Sequence, residues 1–114
     1  MKINLFYDSK EKSTKFSLLE PVIFTFNEEE MEIPVGFVSD GASVPVGLWN
    51  LIEPLSGKYI VAFLAHDYGY SIHYAPRKVI DQLLYDMLVE AGMSRAKAYA
   101  IFLAVRSFGG NHWD

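Results

Sequence analysis

The stretch YIVAFLAHDYGYSIHYAPRKVIDQLLYDML, residues 59–88, decides the fold. Tyr59, Phe63, His66, Tyr70 and His73 recur at steps of three and four, so a helix from Lys58 to Ile72 carries them on one stripe. Ile60, Leu64 and Asp67 form a neighbouring stripe. A second helical period begins after Ala75-Pro76. Ile80, Leu84, Met87, Leu88 and Ala91 mark one face of a helix from Arg77 to Ala91, which Gly92 ends. The connection between the two is short, so they are expected to be antiparallel neighbours.

Asp81 breaks the apolar pattern of the second helix, standing three residues before Leu84 and seven before Leu88. An unpaired carboxylate on such a face costs several kcal/mol or has its pKa driven upward. It needs a partner, and His66 or Tyr70 on the facing helix can supply one. A carboxylate that accepts from one imidazole nitrogen fixes the tautomer and leaves the other nitrogen for work. Asp67 points about 100° around the helix from His66, where it could hold a cation or a water beside the ring. Two readings follow. The His66–Tyr70–Asp81 cluster either satisfies buried polar groups and fixes the packing, or it forms a catalytic or metal site. Tyr59, Phe63 and Tyr70 read as core, His73 and His112 as surface residues. Arg106 reads as a complement to the carbonyls ending its own helix, or as a partner of Asp67 or Asp81.

Outward from this pair, Ser94 caps a last helix from Arg95 to about Phe108, which stops at Gly109-Gly110 before a short tail from Asn111 to Asp114. Toward the amino terminus the period changes to two. Met1 to Asp8, Thr14 to Glu20, Val22 to Phe26 and Met31 to Val38 read as short strands. Pro21 marks an edge or bulge, Asn27-Glu28-Glu29-Glu30 a hairpin turn, and Pro34 with Gly36 weaken the last strand. Ser43 can cap a short helical piece from Val46 to Ile52. Strands first and helices after predict an α+β fold: a small antiparallel sheet of three or four strands at the amino terminus, then a cluster of three main helices packed beside it.

Composition bounds the function. The chain of 114 residues is the size of one domain with one real core. A net charge of -4 and the lack of a basic stripe argue against binding to a phosphate backbone, so no nucleic acid is expected. Cysteine is absent, which excludes disulfides and thiolate metal sites. No stretch is apolar enough for a transmembrane segment and no secretory leader is legible, so synthesis in the cytoplasm is expected.

Several motifs carry a resemblance. They are Val35-Gly36-Phe37-Val38-Ser39-Asp40-Gly41-Ala42-Ser43-Val44-Pro45, then His66-Asp67-Tyr68-Gly69-Tyr70, Arg77 with Asp81, and Val105-Arg106-Ser107-Phe108-Gly109 near Trp113. In this order and spacing the chain resembles the uncharacterised family known as domain of unknown function 1353, over roughly residues 31 to 113. Members of that family are typically encoded by tailed bacteriophages and prophages, which implies a phage gene product. In the family a basic residue often follows the Val-Pro; here Val46 stands instead.

A local similarity is weaker. His66-Asp67-x-x-Tyr70 with an acid on the next helix is similar to the active-site motif of secreted phospholipases A2. That likeness implies His66 as base, Asp67 as calcium ligand and Asp81 as orienting acid, with Asp40-Gly41-Ala42 as the candidate calcium loop. The cysteines and the glycine-rich calcium loop of those enzymes are missing here.

Two functions are expected from these readings. The first is a non-catalytic phage accessory protein, a virion tail or host-interaction component whose His/Asp cluster is structural and whose partner is a phage or host protein. The second is a small hydrolase of a cell-envelope component, with His66 as general base, Tyr70 and Asp81 beside it, and a divalent cation such as calcium on Asp67 and Asp40. Asp40 is expected either to fold back onto local backbone N–H groups as an Asx turn or to turn toward the His66 helix, which the small Gly41 and Ala42 permit.

Overall fold

The computed structural model describes residues 3–8, 13–39 and 57–113. The expected helical piece from Val46 to Ile52, its cap Ser43, and Asp40 lie outside the described residues. Strands precede helices and the fold is α+β, as the change of period from two to 3.6 predicts. The chain divides into two compact units, Met1–Gly41 and Ala42–Asp114.

In the first unit the described residues form five short strands: β1 (Ile3–Asp8), β2 (Ser13–Leu18), β3 (Val22–Phe26), β4 (Glu29–Ile33) and β5 (Val38–Ser39). They make two sheets rather than one. One has the order β1-β2-β5 and the other is the β3-β4 ribbon, both antiparallel. The single strand expected from Met31 to Val38 is cut in two, because proline cannot donate to a ladder and Gly36 turns the chain at φ +90°. Around this turn Gly36 N–H donates to the Leu18 carbonyl at 3.0 Å and Leu18 N–H to the Phe37 carbonyl at 3.1 Å, which steers Val38 and Ser39 onto β2.

The hairpin turn is also tighter than the run of acids suggests. Only Asn27 and Glu28 form it, at φ +52° and +67°, while Glu29 and Glu30 already belong to β4. Two central residues with positive φ match the twist of the flanking strands. The ribbon alternates as its sequence does, with Val22, Phe24 and Ile33 buried and Ile23 exposed.

The second unit holds α1 (Gly57–Ile72), α2 (Arg77–Glu90) and α3 (Arg95–Phe108). After α3 a short 3-10 helix runs over Gly109–His112 and takes in the first residues of the expected tail. The helix ends follow their local chemistry. Ser94 Oγ accepts from Lys97 N–H at 3.2 Å and caps α3. Gly92, at φ +110°, closes α2: its N–H donates to the Val89 carbonyl and Met93 N–H to the Leu88 carbonyl, both at 3.0 Å. That is the Schellman arrangement, and its apolar contact is present because Leu88 and Met93 share one core cluster. His73 ends α1 at φ +55°, with its N–H on the Gly69 carbonyl.

Ala62 and Phe63 of α1, Leu84 and Leu88 of α2, and Ala98, Ile101 and Val105 of α3 build the core of this unit. Gly69 lies against Ile80, and Tyr59 at the other end of α1 lies near Gly92, so α1 and α2 run antiparallel. A Cβ on Gly69 would stand 2.8 Å from Ile80 Cδ1. The glycine therefore lets α1 approach α2 closely at the level of His66 and Asp81. No helix among the described residues is long and apolar enough to cross a membrane.

Candidate functional site

Asp81 is fully buried on α2 and its carboxylate gathers all three helices. Oδ1 lies 2.7 Å from His66 Nε2 and accepts from the Tyr70 hydroxyl at 2.6 Å, both on α1. Oδ2 accepts from Arg106 Nη1 of α3 at 2.8 Å. The imidazole and phenol rings of His66 and Tyr70 lie 4.4 Å apart, as their spacing of one helical turn requires. Three charge-assisted hydrogen bonds on one carboxylate offset much of the cost of burying it.

Arg77 completes the arrangement. Its Nε donates to the Tyr70 hydroxyl at 3.0 Å, and its Nη2 donates to the carbonyls of Val105 and Arg106 at 2.7 and 2.8 Å. These are carbonyls of the last turn of α3; Val105 O also accepts from the Gly109 N–H, so the guanidinium adds a second donor there. Arg106 was legible as a partner for Asp81. Arg77, rather than Arg106, is the group that caps the end of α3. The signal for that was weak, because Arg77 stands in the first turn of its own helix, where its spacing points to Asp81 four residues on, at 3.9 Å, and not to the end of α3.

The carboxyl-terminal residues seal one end of the cluster. A Cβ on Gly109 would stand 2.6 Å from the Tyr70 hydroxyl, so only glycine fits there without displacement. Trp113 meets Tyr70 edge-on at 5.2 Å and stacks on His73 at 3.8 Å with the rings nearly parallel. His73 Nε2 also bonds the Trp113 carbonyl. His73 is exposed, as its reading as a surface residue expects. The side chain of His112 lies outside the described residues.

Electrostatics follows from this geometry. Burial opposes charge on His66, but the carboxylates of Asp67 and Asp81 outweigh it and hold the imidazole pKa above its ordinary value. Burial likewise works against the Asp81 anion, and His66, Tyr70 and Arg106 outweigh it and hold its pKa below the usual carboxylate range. Burial and the Asp81 charge push the Tyr70 phenol up, so it stays a donor. The ring of His66 thus lies between two acids: Nε2 against Asp81, and Nδ1 3.9 Å from Asp67 Oδ1. An imidazolium suits that position.

The structure therefore brings together His66, Tyr70 and Asp81, with Asp67 beside them. Asp40 lies outside the described residues. Among the described residues no group of three or more His, Asp or Glu side chains is arranged to hold a metal ion. Among them, too, every buried side-chain nitrogen and oxygen has a hydrogen-bond partner.

Comparison with known proteins adds a family and no activity. The uncharacterized protein y4jT of Sinorhizobium fredii (strain NBRC 101917 / NGR234) is 30% identical over 100 residues, 87% of this chain and 28% of that protein. The uncharacterized protein y4iH of the same organism is 33% identical over 72 residues, 62% of this chain and 30% of that protein. The chain thus spans less than a third of the length of these curated relatives. No solved structure matches it. The model of the family described as "Protein of unknown function (DUF1353)" matches residues 16–105, from β2 through nearly all of α3. With the Asp81 cluster's residues His66, Tyr70, Arg77 and Asp81 all inside that span, the chain belongs to the DUF1353 family.

Proposed function

We propose that this chain is a non-catalytic accessory module of a bacteriophage or prophage, a virion tail or host-interaction component, in which the Asp81 cluster locks the helical unit. The observation that carries this reading is the saturation of Asp81. Its two oxygens accept from His66, Tyr70 and Arg106, and His66 is itself buried at 1% exposure. A general base must reach the proton it removes and must be unprotonated at working pH. A buried imidazole held between two carboxylates is badly placed for the first, and its raised pKa works against the second. The phage attribution rests on the family resemblance. The role as a module is supported by relatives more than three times the length of the matched segment.

The alternative is a small hydrolase acting on a cell-envelope component, with His66 as general base, Asp81 and Tyr70 orienting it, and a divalent cation at Asp67. One observation favours it: Asp81 on Nε2 orients the ring and turns Nδ1 toward Asp67. His66→Gln separates the two readings. An amide keeps a hydrogen bond to Asp81 but cannot take up a proton at neutral pH. In a phage carrying the variant, plaque formation close to wild type supports the locking role. A folded His66→Gln protein with plaque formation abolished would replace it with the hydrolase. Mass spectrometry of purified particles should find the chain if it is a tail component.

A further inference from the structure

Charge is strongly segregated along this chain. Between Lys15 and Lys58 there is no basic residue, while the β3-β4 ribbon carries Glu28, Glu29, Glu30 and Glu32. From Ala91 to Trp113 there is no acid, while α3 carries Arg95, Lys97 and Arg106. All four ribbon glutamates are exposed, as are Arg95 and Lys97.

Each charged surface also has an apolar part left in solvent. On the ribbon, Ile23 pairs with Glu32 across the strands and is 49% exposed. On α3, Ala98, Ile101 and Val105 face the core, so the opposite face presents Ala96, Tyr99, Ala100 and Leu103. Tyr99 is 53% and Leu103 46% exposed, and no charged residue interrupts that face. A helix apolar on both sides is usually covered on both. Arg106 already serves Asp81, which leaves Arg95 and Lys97 as the cations flanking the open face.

We propose that the outer face of α3 docks the acidic β3-β4 ribbon of a second copy of this chain. Opposite charges select the pairing and the register, and Ile23 against Tyr99 and Leu103 supplies the apolar contact. Two like copies cannot join face to face through α3, because each would bring cations against cations. The contact therefore pairs two different surfaces, and each copy offers one to its neighbour and can receive the other. This goes beyond the proposed accessory role and does not require it.

The test is a charge swap read by sedimentation velocity on the purified full chain. The wild type should show at least a doubling of weight-average mass as concentration rises at low salt, and this should fall back at high salt, where exposed charges are screened. The double variant Arg95→Glu, Lys97→Glu should stay monomeric. It should also fold, since Glu at position 97 sits three residues after the Ser94 cap and forms a capping box. The double variant Glu30→Lys, Glu32→Lys should stay monomeric as well. An equimolar mixture of the two should re-associate, because each then offers the surface the other lost. Leu103→Lys should weaken association in the wild-type background without altering far-ultraviolet circular dichroism. A wild type that is monomeric at every concentration and salt overturns the proposal. So does association that survives both charge reversals, or a mixture that stays monomeric.

Discussion

His66 Nε2 and Asp81 Oδ1 lie 2.7 Å apart with neither residue more than 1% exposed. Each is tolerable in the interior only because of the other and of the donors around them. Removing one partner leaves the rest buried and uncompensated. Asp81→Ala is expected to lower stability by about 3 kcal/mol, since three donors lose one acceptor. Asp81→Asn, which keeps one acceptor oxygen, should cost less. Chemical denaturation of the three proteins measures both differences, and an Asp81→Ala midpoint equal to wild type would show that the cluster adds no stability.

The same pair makes stability depend on pH from both sides. The pKa of His66 is raised on folding, so the folded protein holds that proton more tightly than the unfolded chain. Its contribution is complete below the ordinary value of 6.5 and is lost as pH rises through the higher folded value. The pKa of Asp81 is lowered on folding. Its contribution is present above the ordinary 3.8 and is lost as pH falls through the depressed folded value. Melting temperature should therefore fall on the alkaline side above the ordinary histidine range. His66→Gln should flatten that limb and leave the acid limb in place. Parallel wild-type and His66→Gln curves on the alkaline side would rule out a charged His66.

Arg77 holds the end of α3 through a planar fork that reaches two carbonyls and a hydroxyl. Lysine carries the charge but not the fork. Arg77→Lys is expected to cost about 1–2 kcal/mol. Hydrogen exchange should also quicken selectively in the last turn of α3 and in the following 3-10 helix. Exchange rising equally across all three helices would mean that Arg77 acts on global stability and caps no particular end.

Gly109 and Tyr70 compete for one space. Gly109→Ala should cost about 1–3 kcal/mol in the wild type, because its methyl meets the Tyr70 hydroxyl. In a Tyr70→Phe background the nearest atom is gone, and the same substitution should cost clearly less. A double-mutant cycle gives the coupling directly. Additive losses would show that the carboxyl-terminal segment yields without pressing on Tyr70.

Much of the helical unit was legible because its signals are local. The period of Tyr59, Phe63, His66 and Tyr70, the Ser94 cap and the Gly92 stop each act within one or two turns, and α1, α2 and α3 appear within a residue or so of where those signals put them. The proximity of His66, Tyr70 and Asp81 was legible for a related reason. An acid on an apolar stripe demands a partner, and a short connection leaves few places for one. The strands were less legible. Period two identifies a strand but not its neighbour, so the split into two sheets depended on the turn at Gly36 and its bonds to Leu18.

What the sequence by itself determined, then, is the identity of the elements and the need for a buried ion partner, since both follow from spacing along one chain. Tertiary structure alone decided that Arg106 answers Asp81 while Arg77 takes the carbonyls at the end of α3. Arg106 stands 25 residues from Asp81 in the chain, and Arg77 reaches carbonyls 28 and 29 residues away. No periodicity links such positions. They meet because α2 and α3 pack antiparallel over Leu84, Leu88, Ile101 and Val105, which brings the first turn of α2, with Arg77, to the carbonyls at the end of α3.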